Sequence, residues 1–203
     1  VRDAIAAGDQ QRLTQHEDVV ILKAPPEATQ HGSARRGFAP ALGAIVIDES
    51  ITFADPLYRA TRHAAPHDWL QLTGGAIGDG LPLAVGAALG APGRQMIGLQ
   101  ADGSAMYTVQ ALWTQARERL DVTTVILSNR KYAILLAELA AVGAEPGQTA
   151  MRMLDLSDPD LDWVRIAGGL GVEAAKADTL ERFADLFTRA NSRSGPFVIE
   201  AAV

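Results

Sequence analysis

Short apolar runs alternate with stretches of helical periodicity along most of the chain. The runs that predict strands lie at residues 44–47, 68–73, 96–101, 122–127, 172–175 and 196–202. Most of them are continuously apolar, which is typical of parallel strands that are buried on both faces. Strand and helix patterns that alternate in this way predict an α/β fold with a doubly wound, mostly parallel sheet and helices on both faces.

The helices are predicted from apolar residues that recur at spacings of three and four. They cover residues 55–63, 81–89, 105–120, 161–170 and 179–190. In the helix at 105–120 one core-facing stripe is predicted, which consists of Met106, Val109, Leu112, Trp113 and Ala116. Asp178 or Thr179 is predicted to cap the last helix. Residues 143–160, rich in Gly, Pro and Asp, predict a loop that would be able to close as a lid.

The first 43 residues fit this pattern poorly. A helix over residues 4–13 and a short strand over 19–22 are predicted, and Pro25, Pro26 and a polar stretch follow them. We interpret residues 1–43 as a linker or the tail of a preceding domain, and residues 44–203 as the domain itself.

Polar residues follow two consecutive predicted strands where each strand ends. Asp102, Gly103 and Ser104 come directly after one strand, and Asn129 follows the next. Because a right-handed crossover makes the two strands parallel, both groups are expected at the carboxyl edge of the sheet. The Asp and Asn oxygens suit Mg²⁺ or Ca²⁺, and Gly103 permits close approach of a ligand. Ser104 is predicted to cap the next helix, whose free N–H groups favour a phosphate.

A plain turn with a helix cap is the alternative interpretation of Asp102, Gly103 and Ser104, because turns favour these residues. Asn129 at the end of the next strand favours a metal–diphosphate site instead. A metal held by few protein oxygens usually completes its shell with substrate phosphates and water.

Other strand ends carry weaker signals. Residues 74–78, Gly-Gly-Ala-Ile-Gly, indicate close backbone approach to a ligand, although their spacing is not a dinucleotide fingerprint. From the residues alone, Ile77 is better interpreted as a core side chain. Asp48, Glu49 and Ser50 are interpreted as a cap of the next helix. The four histidines, which have no evident partner, are His16, His31, His63 and His67.

Composition narrows the classes of function. The chain has 203 residues, 48% of them hydrophobic and 21% charged, which is ordinary for a globular protein. A net charge of −6 disfavours a general nucleic-acid surface, and the absence of cysteine excludes disulfides and thiolate metal sites. No apolar run reaches the length of a membrane span, and the first residues lack the layout of a signal peptide. We therefore expect a cytoplasmic protein that binds neither nucleic acid nor membrane.

The residues around Asp102 and Asn129 resemble the diphosphate-binding signature of thiamine diphosphate-dependent enzymes, in which Gly-Asp-Gly is followed one helix and one strand later by Asn-Asn. The resemblance is to acetolactate synthase-like enzymes and benzoylformate decarboxylase, and it covers about residues 44–203. Two positions depart from the signature, since Ala101 replaces the first Gly and Ser128 the first Asn. Neither is the implied metal ligand, and Ala101 would matter only if that position required a positive φ.

The resemblance implies thiamine diphosphate and Mg²⁺ as cofactors. It implies that Asp102 and Asn129 bind the metal through their side chains and that Lys131 binds it through its backbone carbonyl. Gly103 and Ser104 would contact the diphosphate.

The remaining implied contacts lie on other strand ends. Ser50 or Thr52 would add diphosphate contacts, and Gly75 would accept a hydrogen bond from the aminopyrimidine ring through its backbone carbonyl. Ile77 would support the bent cofactor, and Tyr132 would lie near it. No catalytic residue is assigned to this chain.

In the related enzymes the cofactor serves as an electron sink for reactions of 2-oxo acids. The activating Glu belongs to a pyrimidine-binding domain, and nothing in this sequence matches that domain. We therefore expect the diphosphate-binding half of an acetolactate synthase-like decarboxylase or carboligase that is inactive alone and forms a homo-oligomer. The pyrimidine-binding domain would come from a longer chain or another subunit. The alternatives are a non-catalytic cofactor-binding or regulatory subunit, and an α/β domain for another phosphorylated ligand.

Overall fold

The computed structural model describes residues 40–203, which contain one parallel sheet. Its strands are β1 (Ile45–Glu49), β2 (Asp68–Gln71), β3 (Met96–Ala101), β4 (Val122–Ser128), β5 (Glu173–Ala177) and β6 (Phe197–Ala202). Their order is β2-β1-β3-β4-β6-β5, and all pairings are parallel. The predicted α/β class is confirmed, whereas the predictions for residues 1–39 lie outside the described residues.

Helices cover both faces of this sheet. They are α1 (Ala54–Ala60), α2 (Gly80–Gly90), α3 (Asp102–Ala105), α4 (Ala111–Glu118), α5 (Ala133–Ala141), α6 (Gln148–Leu154), α7 (Trp163–Gly169) and α8 (Leu180–Asn191). Helices α1 and α8 pack on one face, where Leu57 and Phe183 are buried. Helices α2, α4 and α7 pack on the other, where Leu81, Leu112 and Trp163 are buried.

The chain reverses its direction across the sheet between β1 and β3. From β1 the chain moves outward to β2, then crosses back over β1 to reach β3 and continues to β4. The carboxyl ends of β1 and β3 therefore face connections that leave in opposite directions. In open α/β sheets ligands bind in the crevice at such a point.

The helix predicted at 105–120 is interrupted, and two expectations built on it are wrong. Helix α3 begins at Asp102, a 3-10 turn spans Met106–Thr108, and α4 begins only at Ala111. Ser104 therefore lies inside α3 and does not cap it, while Ala101 occupies the N-cap position. Because the interruption changes the rotation of the helix, the apolar stripe is not continuous, and Trp113 is half exposed.

Two further segments differ from the sequence-based expectation. Residues 143–160 are not a single loop, because α6 forms within them. Strand β1 continues through Asp48 and Glu49, which are buried strand residues instead of a cap of the next helix. The predicted cap of the last helix is confirmed, since the Thr179 side chain accepts a hydrogen bond from the backbone N–H of Arg182.

Within residues 40–203, no helix combines the length and the apolar character that crossing a membrane requires.

Candidate active site at the carboxyl edge of the sheet

Asp102 lies at the tip of β3, at the start of α3, and is only 2% exposed. One carboxylate oxygen accepts a hydrogen bond from the N–H of Gly103 at 2.8 Å, and the other from the N–H of Arg130 at 2.6 Å. Strands β3 and β4 are neighbours with Ala101 paired to Leu127, which brings this carboxylate to the segment that follows β4. The tips of the two strands are therefore joined by a side-chain to backbone contact.

The segment after β4 is fixed by local hydrogen bonds. The Asn129 side-chain oxygen accepts a hydrogen bond from the N–H of Lys131 at 3.2 Å, and Arg130 between them has a φ of 58°. The N–H of Tyr132 donates to the carbonyl of Leu154, so the segment that ends α6 lies antiparallel beside this turn. The candidate lid is thus attached to the site by backbone hydrogen bonds.

Gly103 is required by packing. A Cβ at this position would lie 2.5 Å from the Tyr132 ring and 3.3 Å from the Leu156 side chain. Ala101, which replaces a signature glycine, has a φ of −76° in extended backbone. Because the position does not require a positive φ, alanine is accommodated without strain.

The tip of β1 offers backbone donors on the other side of the crevice. Ser50 is in the right-handed helical region and Ile51 has a φ of 55°, an uncommon conformation for a β-branched residue. Successive residues of opposite handedness direct neighbouring N–H groups into one anion-binding concavity. Asp48 accepts hydrogen bonds from the N–H and the hydroxyl of Ser50, whereas Thr52 is exposed beside this turn. Strained backbone of this kind is concentrated at ligand sites.

The turn after β2 is open. Gly74 and Gly75 have φ values of 63° and 71°, and a Cβ at either would meet no atom within 4 Å. Ile77 is 45% exposed, so its interpretation as a core side chain is wrong. The carbonyl of Gly75 accepts a hydrogen bond from the N–H of Ile77 and keeps a second lone pair for a ligand.

Glu49 is a site residue that sequence reasoning missed. It is 1% exposed at the end of β1, and its carboxylate accepts hydrogen bonds from the N–H groups of Gly78 and Gly80. The sequence-based interpretation treated it as part of a cap of the next helix, because the Asp and Ser beside it are typical of helix caps. The signal that would have found it is its place in a strand that is buried on both sides.

Two carboxylates are therefore buried at the carboxyl ends of β1 and β3. Burial raises the pKa of Asp102, and hydrogen bonds from backbone N–H groups, first that of Arg130, oppose the rise. Burial also raises the pKa of Glu49, which the N–H groups of Gly78 and Gly80 lower in part. Among residues 40–203 no lysine, arginine or histidine pairs with either carboxylate.

These residues fit a divalent cation bound together with a diphosphate. No group of three His, Cys, Asp or Glu side chains that would hold a metal occurs in the described part of the chain. A cation at Asp102 would therefore need amide and carbonyl oxygens and ligand phosphate, which is the usual environment of Mg²⁺. Asn129 supplies an amide oxygen. Lys131 supplies a carbonyl that accepts a hydrogen bond from the N–H of Ala133 and keeps a second lone pair for a ligand.

The structure brings the predicted site residues to the carboxyl edge of the sheet. Those at or beside the tips of β3 and β4 are Asp102, Gly103, Ser104, Asn129, Lys131 and Tyr132. Thr52 follows β1, while Gly75 and Ile77 follow β2 on the far side of β1. The Ser104 hydroxyl donates to the carbonyls of Ala101 and Glu49, so it is directed at backbone. The binding roles of all these residues stay predictions.

Comparison with known proteins agrees with this geometry. Residues 53–201 match the family model described as thiamine pyrophosphate enzyme, C-terminal TPP binding domain. The chain is 54% identical over 162 residues to the Mycobacterium tuberculosis protein named "Putative acetolactate synthase large subunit IlvX", covering 79% of this chain and 32% of that protein. It is 36% identical over 159 residues to benzoylformate decarboxylase of Pseudomonas aeruginosa, covering 77% and 29% of the two chains.

A solved structure shows the same fold. The thiamine diphosphate-dependent 4-hydroxybenzoylformate decarboxylase of Rhodococcus jostii RHA1 superposes with a TM-score of 0.69 at 31% identity, covering 87% of this chain and 35% of that chain. The chain therefore belongs to the family of C-terminal thiamine pyrophosphate-binding domains of thiamine pyrophosphate enzymes. It spans about a third of the length of these relatives.

Proposed function

We propose that this chain is the diphosphate- and Mg²⁺-binding half of an acetolactate synthase-like carboligase or decarboxylase that acts on 2-oxo acids. The observation that carries the proposal is the joined tip of β3 and β4, where the buried Asp102 carboxylate contacts the turn that carries Asn129. A buried carboxylate without a cationic partner is costly, and a bound cation compensates it. The whole activity is proposed for a protein completed by a pyrimidine-binding domain.

In the proposed complex the strand tips share the binding of the metal and the diphosphate. Asp102, Asn129 and the carbonyl of Lys131 would hold Mg²⁺, and the turns at Gly103 and Thr52 would bind the diphosphate. When bound, thiamine diphosphate would supply an electron sink for cleavage or ligation at the carbonyl of the substrate. The residues of this chain anchor and orient the cofactor, and none of them is assigned proton transfer.

The site for the aminopyrimidine ring would be completed by a partner domain. The turn with Gly75 and Ile77 is exposed on one side, and a pyrimidine-binding domain would cover it. We propose that this domain belongs to a longer chain or to another subunit in a homo-oligomer, and that the protein functions in the cytoplasm. The alternative is a non-catalytic cofactor-binding or regulatory subunit.

Thermal unfolding with and without ligand tests the proposal. Thiamine diphosphate with Mg²⁺ should raise the melting temperature, because a ligand at a hundred times its Kd stabilises the folded state by about 2.7 kcal/mol. Asp102→Ala should remove this shift. Asp185→Ala, on the exposed face of α8, is the control and should retain it.

An unchanged melting curve of the wild type at millimolar thiamine diphosphate would contradict cofactor binding by this chain. A shift with Mg²⁺-ATP that equals the shift with thiamine diphosphate would favour an α/β domain for another phosphorylated ligand. Consumption of pyruvate or benzoylformate after addition of a candidate pyrimidine-binding domain separates the enzyme from a non-catalytic subunit.

A further inference from the structure

Glu49 connects the tip of β1 to the turn that follows β2. One carboxylate oxygen accepts a hydrogen bond from Gly78 N–H at 2.5 Å, and the other from Gly80 N–H at 2.7 Å. These partners lie 29 and 31 positions away in the sequence, so the contact is tertiary. The backbone carbonyl of Glu49 also accepts a hydrogen bond from the Ser104 hydroxyl. One buried residue thus contacts the turn after β2 and the turn after β3.

The carboxylate takes the place of a local helix cap. Helix α2 has Asp79 at its N-cap position, but the Asp79 side chain makes no capping hydrogen bond. The first N–H groups of a helix have no intrahelical partners, and a negative charge near them is favourable. Glu49, on β1, accepts the first N–H of α2, that of Gly80, and in the described part of the chain it has no ion pair.

Gly78 is held from both sides. Its N–H donates to Glu49, while its carbonyl accepts a hydrogen bond from the Thr108 hydroxyl at 2.6 Å. Its φ is 92°, and a Cβ there would lie 2.8 Å from the Cβ of Tyr107. By contrast, Gly74 and Gly75 just upstream have open space around them. The turn is therefore fixed at its end and free at its beginning.

The space around the Glu49 carboxylate is fully occupied on the side of α2. A Cβ at Gly80 would lie 2.8 Å from the Glu49 side chain and 2.1 Å from the amide nitrogen of Gln100, which is also buried. No residue larger than glycine fits between the two side chains without a shift. The carboxylate and α2 are consequently locked in one relative position.

We propose that Glu49 is a positioning residue that fixes the turn of Gly75 and Ile77 in the orientation needed to receive the aminopyrimidine ring. This inference rests on the proposed function and deepens it. Glu49 itself does not contact the cofactor, and it acts through the two glycine N–H groups. The diphosphate end of the cofactor is proposed to bind at Gly103 and Thr52. The Glu49 carboxylate accepts its hydrogen bonds from Gly78 and Gly80 instead, so diphosphate binding should not depend on this carboxylate.

Glu49→Gln is the discriminating substitution because it preserves size while removing one acceptor oxygen. The new NH₂ group would face a glycine N–H, donor against donor, so one of the two hydrogen bonds is lost. Removal of a buried charge offsets part of this loss, and the melting temperature should change little. Hydrogen–deuterium exchange without ligand should accelerate at least tenfold in peptides that cover residues 72–80 and stay unchanged in β4.

Two ligands distinguish an effect on the aminopyrimidine ring from an effect on the diphosphate, because inorganic diphosphate has no ring. Titration calorimetry with Mg²⁺ should show that Glu49→Gln weakens thiamine diphosphate at least tenfold and weakens inorganic diphosphate less than twofold. Glu200→Gln is the matched control, since Glu200 is a buried carboxylate on β6 that is paired with Lys176 at 2.9 Å. This control should weaken neither ligand more than twofold.

Each outcome decides the inference. Equal exchange in both proteins, or an equal loss of affinity for both ligands, would overturn the positioning role. If the wild type binds neither ligand, the proposed function fails, and exchange at residues 72–80 still reports whether Glu49 holds the turn. If Glu49→Gln does not fold, Thr108→Val removes the other hydrogen bond to Gly78 and must reproduce the selective loss of thiamine diphosphate.

Discussion

The turn that follows β3 is tightly packed by residues of this chain, whereas the turn that follows β2 is largely exposed. All four residues of α3 after β3 are buried, and the Tyr132 ring covers Gly103 so closely that no side chain fits there. After β2, a Cβ at Gly74 or Gly75 would meet no atom within 4 Å, and Ile77 is half exposed. The turn after β3, where we propose that the diphosphate binds, is therefore preformed. The turn after β2, where we propose that the aminopyrimidine ring binds, is open on the side where a second domain is proposed.

The largest expected effect comes from adding a side chain at Gly103, in the packed turn after β3. Gly103→Ala should destabilise the protein by about 1–3 kcal/mol, because its Cβ overlaps the Tyr132 ring. Gly75→Ala meets no atoms and should cost about 1–2 kcal/mol, through the positive φ alone, with no repacking of Tyr132. Urea denaturation of both variants measures the difference.

Gly86→Ala provides the control for these substitutions. Gly86 lies inside α2 with open space around its Cβ position, so alanine should stabilise by about 1 kcal/mol. If Gly103→Ala is as well tolerated as Gly86→Ala, the turn after β3 is not packed as described, and the comparison of the two turns is lost.

A smaller effect is expected from the charge that the packed turn buries. Because burial raises the pKa of Asp102 in the folded state, its ionised form costs stability above that pKa. Asp102→Asn should therefore stabilise the protein without ligand by about 1 kcal/mol or less near pH 7. The gain should shrink as the pH falls through the raised pKa and disappear only below the ordinary Asp pKa of about 3.9, where the wild-type carboxyl is neutral in both states.

Denaturation of Asp102→Asn and wild type between pH 4 and 8, without Mg²⁺ or cofactor, measures this difference. A variant that is less stable than the wild type at every pH would mean that the hydrogen bonds from Gly103 and Arg130 outweigh the cost of burial. The turn after β3 would then be stable with an ionised Asp102, and a bound cation would not be needed to offset a cost of burying this carboxylate.

The smallest effect on stability is expected at the open turn. Tyr107 is 62% exposed and lies against Gly78, so it would belong to the surface that a second domain covers. If such a surface is left uncovered, it should promote self-association. Tyr107→Lys should lower the self-association constant measured by sedimentation velocity and change the free energy of unfolding by less than about 0.5 kcal/mol.

Leu89→Lys is the matched control for this substitution, since Leu89 is an exposed apolar residue near the other end of α2. It should not change self-association. If both variants reduce association equally, the effect is one of general surface polarity, and the open turn is not a docking surface.

Sequence patterns were sufficient for the architecture and for the position of two candidate site residues at the edge of the sheet. Continuous apolar strands with polar residues at their ends predicted the parallel sheet and placed Asp102 and Asn129 at one edge, because the crossover rule leaves few alternatives. The helix after β3 was predicted too long, and Trp113 was assigned to the core, because a 3-10 interruption has no clear periodic signal. Ile77 was also assigned to the core, because the interpretation used only the residue and its neighbours in sequence.

What the sequence determined by itself was the order of strands and helices and the identity of the oxygen-bearing residues at the strand tips, since these depend on local periodicity and residue chemistry. Only the tertiary structure decided which turn is packed and which is open, and that Glu49 is buried against α2. These properties depend on contacts between residues far apart in the chain, such as Glu49 with Gly80 and Gly103 with Tyr132. Such contacts leave no periodic trace in a single sequence.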